Sequence, residues 1–225
     1  MLVKVISLLA VFLSLSQATL VSYVAHTNLG GHLYLVNQAF ILSEDYIPGD
    51  LLKPASAGSS SGTLMRRQAA DSLDALFASA KDAGYTLVAV SGYRSFATQR
   101  NIYSRKLSSG DKNARLLVAP PGASEHQLGL AMDLGRKGKI KLNSAFGSSD
   151  EGAWVAANAH RFGFIIRYKE GWQDITGYAP EPWHIRYVSQ EHAERIFELD
   201  IPLEQYVEQL SLASFGDYFM EDSER

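Results

Sequence analysis

The sequence contains no cysteine among its 225 residues. This absence excludes disulfide bonds and a thiol nucleophile, and it leaves nitrogen and oxygen atoms as the ligands for any bound zinc. A chain of this length buries a core large enough to fold without disulfides. Metal chemistry in this protein must therefore use histidine and carboxylate side chains.

A hydrophobic run of the ~20 residues that a membrane-spanning helix needs is also missing at the N-terminus. The apolar run there covers only residues 5–15, follows Lys4 and precedes Ser16-Gln17-Ala18. Small residues such as Ser16 and Ala18 at the two positions that signal peptidase recognises are typical of its cleavage site. We predict a signal peptide over residues 1–18, a secreted or extracytoplasmic location (periplasm or cell wall), and no stable membrane span after cleavage.

An excess of positive charge is missing too. The formal net charge is −3, and removal of Lys4 with the signal peptide leaves 20 basic against 24 acidic residues, a charge of −4. This balance gives no indication of nucleic acid as a partner. With 46% hydrophobic and 20% charged residues, the composition is typical of one soluble domain.

Hydrophobic spacing and turn residues predict an extended arm over residues 19–62, a folded domain over 63–212 and a polar tail over 213–225. Helices and strands mix without a regular βαβ alternation. We therefore expect a single-domain α+β fold with a small, mainly antiparallel sheet flanked by helices. The predicted helices cover 64–84, 96–107, 154–162, a segment after Ser189 and 203–210; the predicted strands cover 33–37, 85–90, 130–134, 164–168 and 183–188.

Two short segments carry the residues for metal chemistry. Ser124-Glu-His-Gln-Leu-Gly-Leu-Ala-Met-Asp133 is followed about fifty residues later by Glu181-Pro-Trp-His184. Together they supply two imidazoles, a carboxylate ligand and a spare carboxylate. A hydrolytic zinc site needs three protein ligands, an open position for water and a nearby base, so these segments predict a zinc peptidase.

Local geometry supports this grouping. In a strand over 130–134, Gly129, Ala131 and Asp133 share one face, and the small residues leave room for a metal beside the carboxylate. His126 then approaches from the preceding turn. Pro182 disfavours a helix at Glu181, so a turn into a strand must place Glu181 and His184.

The pattern Ser-x-His-x-x-Gly-x-Ala-x-Asp with Glu-Pro-Trp-His-Ile-Arg-Tyr resembles the VanY-type D-alanyl-D-alanine carboxypeptidases. This family is related to VanX dipeptidases and L,D-carboxypeptidases, and its fold is shared with hedgehog signalling domains. The resemblance extends over roughly residues 33–200. Further matching blocks are Leu35-Val-Asn37, Asp45-Tyr-Ile-Pro48, Ser91-Gly-Tyr-Arg-Ser95 with Gln99, and Asp174-Ile-Thr-Gly-Tyr178.

The resemblance implies a hedgehog/D-Ala-D-Ala-peptidase-like fold and a role for each matching residue. His126, Asp133 and His184 are expected to bind Zn²⁺, with Glu181 as general base. Arg94 is expected to hold the substrate carbonyl or the developing oxyanion. Peptidoglycan stem peptides are the implied substrate, and the expected contacts to them are Ser124 and Gln99 at the C-terminal end, together with Tyr93 and Trp183.

Other functions remain open at this point. The same chemistry serves an endopeptidase for peptide cross-links or a dipeptidase for free D-alanyl-D-alanine, although the signal peptide disfavours a dipeptidase. A non-catalytic zinc-binding module is disfavoured because the chain keeps Glu181 and Arg94, and a wall-binding protein without cleavage is the remaining alternative. The other histidines, His26, His32, His160 and His192, are interpreted as ordinary surface or core residues.

The chain departs from the family around Tyr168-Lys169-Glu-Gly-Trp172. Relatives usually have proline at the place of Lys169 and lysine at the place of Trp172. Because this loop is expected near the substrate cleft, the departure puts fine specificity in question.

Overall fold

The computed structural model describes residues 31–57 and 62–221, with side chains described as far as residue 212. The described residues belong to two compact units, one formed by residues 36–202 and one that contains residues 31–35 and 203–221. The predicted signal peptide and His26 lie outside the described residues.

The larger unit contains two antiparallel sheets with helices around them. Its strands are β1 (Leu51–Leu52), β2 (Met65–Arg66), β3 (Leu87–Ser91), β4 (Ala131–Arg136), β5 (Phe164–Ile166) and β6 (His184–Tyr187). Its helices are α1 (Arg67–Asp82), α2 (Phe96–Ser108), α3 (Ala114–Leu117), α4 (Asp150–Asn158), α5 (Gln173–Thr176) and α6 (Gln190–Leu199). Strands β1 and β2 form one sheet, and the other has the order β3-β4-β6-β5. The predicted α+β fold with a small antiparallel sheet is therefore confirmed.

The register of the four-stranded sheet brings three segments of the site together. Ser91 at the end of β3 lies opposite Asp133 on β4, and Asp133 lies opposite His184 on β6. Directly opposed residues on antiparallel strands have neighbouring side chains. A register shift between Ala89 and Ser91 marks a bulge, a feature that commonly redirects side chains beside active sites.

Helix α1 confirms the predicted apolar spacing, because Leu73, Leu76, Phe77 and Ala80 are all buried. Its end is a Schellman motif: the backbone N–H of Tyr85 donates to Ala80 at 2.9 Å, and that of Gly84 donates to Lys81 at 2.9 Å. Gly84 has a φ of 90°, a left-handed backbone conformation that favours glycine, and this explains why the helix ends just before this residue. The helix begins three residues later than predicted because Met65 and Arg66 pair with β1 instead.

Helix α4 begins at Asp150, earlier than the predicted start at Trp154. The side chain of Ser149 accepts a hydrogen bond from the Gly152 N–H at 3.2 Å and so caps the helix. A side chain at position 152 would collide with the Phe146 carbonyl oxygen, so glycine permits this early turn. The predicted end of the helix, residues 159–162, is a separate 3-10 turn.

The strand predicted over residues 33–37 is wrong, because these residues form turns and irregular backbone. The Asn37 side chain accepts hydrogen bonds from the N–H groups of Ala39 (2.9 Å) and Phe40 (3.1 Å) and so closes a turn. The following arm is fixed to the same unit by backbone contacts, including the hydrogen bond from Leu42 N–H to the Gly122 carbonyl at 2.8 Å. The arm then leads into β1.

The smaller unit contains helix α7 (Leu203–Glu221), which continues beyond the predicted end at residue 210. Leu203, Tyr206 and Val207 are buried. Among the residues described in both units, no helix combines the length and apolar character needed to cross a membrane.

Candidate metal centre and active-site cleft

Three side chains predicted as metal ligands lie together and are buried. Asp133 and His184 are opposed on β4 and β6, and His126 comes from the 3-10 turn formed by residues 125–128. Gly129, with a φ of 68°, ends this turn and directs the chain into β4. One ligand atom from each of the three side chains lies within 4.8 Å of the others.

The distances within this cluster fit a zinc ion. His126 Nε2 is 3.3 Å from Asp133 Oδ2, and His184 Nδ1 is 3.1 Å from Asp133 Oδ1. Two ligand atoms bound tetrahedrally at 2.0–2.1 Å from zinc lie about 3.3 Å apart. Two imidazoles and one carboxylate are also a typical donor set for catalytic zinc.

The orientation of His126 is set by a backbone carbonyl. Its Nδ1 lies 2.7 Å from the Gly92 carbonyl oxygen, so this nitrogen carries the hydrogen and donates it. Burial, with a further contribution from Arg94, lowers the pKa of His126 to about 4. At neutral pH the ring is therefore uncharged, and its Nε2 lone pair faces Asp133 and the cluster.

His184 lies between two carboxylates. Its Nδ1 faces Asp133, whereas its Nε2 lies 3.4 Å from Glu125 Oε2. Burial alone lowers the pKa of this ring, but the hydrogen bonds to Asp133 and Glu125 outweigh burial and raise the pKa to about 9. Metal binding at Nδ1 must therefore displace a proton, as is general for histidine ligands.

Glu181 lies beside the cluster without belonging to it. Its Oε2 is 3.8 Å from His184 Nδ1. As predicted, a turn places it before β6: the Glu181 carbonyl accepts from the His184 N–H at 3.0 Å, and its own N–H donates to Tyr168 at 2.9 Å. Burial raises the pKa of the Glu181 carboxyl to about 7, near the value that suits a general base.

Arg94 follows the end of β3 and points towards the cluster. Its Nη1 lies 3.2 Å from Ser91 Oγ and 3.6 Å from Asp133 Oδ2, and its Nη2 lies 3.5 Å from Ser124 Oγ. The guanidinium is thus held among polar groups of the site. Its fixed fork suits an approaching carbonyl or carboxylate oxygen.

These groups line a cleft of about 350 Å³. The predicted residues Ser124, Gln99 and Trp183 are part of its lining, together with Tyr168 and Tyr178. Gln99 is buried and donates from Nε2 to the Ala119 carbonyl at 2.7 Å. Tyr93 is not among the residues that line this cleft, and its contact with substrate stays a prediction.

Sequence reasoning missed a buried charge cluster behind His184. Glu125 Oε1 accepts from Arg167 Nε and from Arg186 Nη1, both at 2.7 Å, and all three side chains are fully buried. Although burial opposes ionisation, the two arginines hold the pKa of Glu125 well below its usual value. The sequence does contain a signal for Arg186. Side chains alternate between the two faces of a strand, so Arg186 is expected on the same face of β6 as His184 and therefore near the site.

The two residues that depart from the family pattern line a different, small cavity. Lys169 and Trp172 border it together with His160 and Phe197. The Lys169 ammonium lies 4.8 Å from the Trp172 ring centre and 2.7 Å from Asp200 Oδ1. Tyr168 of this loop segment lines the main cleft, as expected for a loop near the substrate, whereas Lys169 and Trp172 are not part of that lining. An effect of the departure on fine specificity stays a prediction.

Metal-dependent hydrolysis requires protein ligands for the metal, space for a substrate and a base beside the metal, and these meet in one cleft here. The fold and the site thus define a metal-dependent hydrolase. The family model of VanY, D-alanyl-D-alanine carboxypeptidase, matches residues 62–190. The chain belongs to this family.

Known proteins agree with this assignment. The chain is 45% identical over 184 residues to YodJ of Bacillus subtilis (strain 168), a provisionally named carboxypeptidase, and the match covers 79% of this chain and 67% of YodJ. The structure of the LD-carboxypeptidase LdcB, described for its peptidoglycan recognition, matches with a TM-score of 0.73 and 44% identity over 78% of this chain and 86% of LdcB. The chain spans 52–67% of the length of the curated relatives it matches.

A solved relative also identifies the metal. A Zn(II) complex of a variant of the vancomycin-resistance D,D-pentapeptidase VanY matches with a TM-score of 0.66 and 32% identity, covering 78% of this chain and 98% of that one. Together with the His126, Asp133 and His184 cluster, this match confirms the predicted zinc cofactor. The prediction of a zinc metallopeptidase of the VanY type is likewise confirmed.

Proposed function

We propose that this chain is a zinc-dependent carboxypeptidase that hydrolyses the C-terminal D-alanine from peptidoglycan stem peptides. The observation that carries the proposal is the meeting of a three-ligand cluster with Glu181 in one open cleft. The relatives that act as D-alanyl-D-alanine or LD-carboxypeptidases support the choice of substrate.

Zinc would be held by His126 through Nε2, by His184 through Nδ1 and by a carboxylate oxygen of Asp133. Bound zinc supplies a positive charge that polarises the scissile carbonyl and brings the pKa of water to about 7. The protein's own contribution is to keep the His126 ring neutral and to orient both rings towards Asp133.

Glu181 is the proton carrier in this proposal. Its carboxylate takes a proton from the attacking water as the new C–O bond forms, and it passes that proton to the nitrogen of the departing D-alanine as the C–N bond breaks. A pKa of about 7 suits both transfers. Its distance of 3.8 Å from His184 Nδ1 keeps it beside the ligand cluster.

Arg94 and the walls of the cleft position the peptide. The Arg94 guanidinium, 3.6 Å from Asp133, offers its fork to the scissile carbonyl oxygen as negative charge develops there. Ser124 and Gln99 contact the C-terminal end of the peptide, and the half-buried Trp183 provides an apolar wall.

Hydrolysis of defined substrates tests the proposal. Purified protein with one equivalent of zinc is incubated with stem tetrapeptide, stem pentapeptide, a cross-linked dimer and free D-alanyl-D-alanine, and the products are identified by mass spectrometry. Release of D-alanine from a stem, and its loss in Glu181→Gln, is the expected result. Cleavage confined to the cross-linked dimer or to the free dipeptide reassigns the enzyme to those classes, and the absence of any product refutes the function.

The proposed location is outside the cytoplasm, where the stem peptides are. The support is the apolar N-terminal segment with small residues before a cleavage position after Ala18. N-terminal sequencing of protein recovered from the secreted or wall fraction should begin at Thr19. Recovery of the chain in the cytoplasm alone would contradict this location.

A further inference from the structure

The buried carboxylate of Glu125 connects the metal cluster to two arginines. One oxygen, Oε1, accepts from Arg167 and Arg186 at 2.7 Å each. The other oxygen, Oε2, lies 3.4 Å from His184 Nε2. The two arginines thus fix the carboxylate and leave one oxygen for the histidine.

The two ring nitrogens of His184 have different partners. Nδ1 faces Asp133, 3.1 Å away, and Nε2 faces Glu125. A neutral imidazole binds a metal through its bare nitrogen and donates from the other one. Because Nδ1 points into the ligand cluster, the Nε2 hydrogen must be donated to Glu125.

His126 shows the opposite arrangement. Its Nδ1 donates to the Gly92 carbonyl at 2.7 Å, which leaves Nε2 for the metal. The two histidines are therefore expected to bind zinc as opposite tautomers, each selected by its outer hydrogen-bond partner. Such outer partners typically change metal affinity 10–100-fold when they are removed.

We propose that Glu125 is a positioning residue that holds the ring of His184 with Nδ1 towards the metal. Arg167 and Arg186 serve this role by fixing the carboxylate. The proposal rests on the zinc site of the proposed function, but it does not depend on which peptide is cleaved.

The first experiment measures zinc affinity by competition with a chelator, together with the unfolding temperature. Glu125→Gln keeps the size of the side chain but replaces one acceptor oxygen with a donor, and we expect a 10–100-fold loss of zinc affinity. The matched control is Arg167→Lys, which disturbs the same ion cluster but keeps a positive charge near Oε1. The contact of Arg186 with Oε1 still fixes the carboxylate, and the contact of Oε2 with His184 stays in place. The control is expected to lower the unfolding temperature with zinc affinity near the wild-type value.

A purely structural role for Glu125 predicts a different result. In that case Glu125→Gln lowers the unfolding temperature but binds zinc as the wild type does, and the proposal is overturned. Equal losses of zinc affinity in both variants also overturn it, because the effect would then follow the general disturbance of the ion cluster.

A second measurement uses the wild-type protein and remains decisive if Glu125→Gln does not fold. Long-range ¹H–¹⁵N NMR spectra of the zinc-loaded protein distinguish the two tautomers of each histidine ring. Hydrogen on His184 Nε2 and on His126 Nδ1 supports the proposal, whereas hydrogen on His184 Nδ1 overturns it. If the wild type passes these tests but releases no D-alanine from stem peptides, the proposed function fails while the role of Glu125 stands.

Discussion

Three carboxylates surround the ring of His184, and their environments give them different properties. Asp133, Glu125 and Glu181 have oxygens 3.1, 3.4 and 3.8 Å from its nitrogens, respectively. Despite burial, the histidines around Asp133 and the arginines around Glu125 keep the pKa values of both carboxyls below the usual range. At Glu181 the neighbouring positive charges do not outweigh burial, so burial raises the pKa of its carboxyl to about 7. Asp133 and Glu125 are therefore permanent anions, whereas Glu181 is able to exchange a proton.

Replacement of Glu181 by glutamine tests this division of roles. Because Glu181 is outside the ligand cluster, Glu181→Gln should keep its zinc and its unfolding temperature. Loss of the proton carrier should lower kcat by roughly 10²–10⁴-fold. Metal content by mass spectrometry and kinetics on a stem peptide check both expectations, and a zinc content below half would instead make Glu181 a ligand.

Replacement of Arg94 tests the second charged group of the cleft. Arg94→Ala should lower kcat/KM with little change in zinc content. An equal fall in kcat and kcat/KM indicates contact with the developing oxyanion, whereas a rise in KM alone indicates uniform substrate binding. Arg94→Lys should recover little activity because a point charge does not reproduce the fork. Arg100 is exposed on α2, 3.6 Å from Glu44, and provides the matched control, because Arg100→Ala should leave the kinetics unchanged. Full activity in Arg94→Lys would show that a positive charge alone suffices at position 94.

The sequence predicts the residues of the cluster but not the network behind it. His126, Asp133, His184 and Glu181 are recognisable because their spacing forms a motif. Glu125 is not, because its arginine partners are 42 and 61 positions away in the chain. No local pattern reports a contact between such distant residues, and a glutamate in a turn is ordinarily exposed.

At the level of elements, helix positions follow from apolar spacing, but their ends depend on individual contacts. Helix α1 was predictable because its buried side chains repeat at helical intervals. The beginning of α4 depends on the Ser149 cap and on Gly152 next to Phe146, and the missing strand at 33–37 depends on the Asn37 turn. These are contacts of single atoms, to which hydrophobic periodicity is insensitive.

The loop after β3 offers a test of such a contact. A Cβ at Gly92 would collide with the Leu64 carbonyl oxygen and lie 2.9 Å from Thr63 C, both of them backbone atoms. Gly92→Ala must therefore move the loop whose carbonyl orients His126. We expect a destabilisation of about 1–3 kcal/mol, as for overpacked sites, and weaker zinc binding.

Gly49 provides the control for this substitution, since a Cβ there has no atom within 4 Å among the residues that the structure describes. Gly49→Ala should leave both chemical unfolding and zinc affinity near the wild-type values. If Gly92→Ala binds zinc as tightly as Gly49→Ala, the Gly92 carbonyl does not orient His126.

For the whole molecule, the metal site exists only when the larger unit is folded. Asp133 and His184 are 51 positions apart, and strand pairing alone brings them together. Zinc should therefore stabilise the folded chain by about 2.7 kcal/mol at a zinc concentration 100 times Kd, provided that the unfolded chain does not bind it. Thermal unfolding with and without zinc measures this effect. His184→Ala should lose most of the zinc-dependent shift, and an equal shift in that variant would remove His184 from the site.

Inhibitor sensitivity of the whole enzyme distinguishes metal from serine chemistry. Ser109 and Lys112 have the Ser-x-x-Lys spacing found in penicillin-acylated serine enzymes. Both residues are exposed after α2, and the Ser109 hydroxyl donates to the Lys106 carbonyl at 2.7 Å, so this spacing does not form an acylation site.

A fluorescent penicillin should leave the protein unlabelled, with a serine-type D-alanyl carboxypeptidase as the positive control. EDTA should abolish activity and added zinc should restore it. Covalent labelling, or full activity after removal of all metal, would contradict the zinc mechanism.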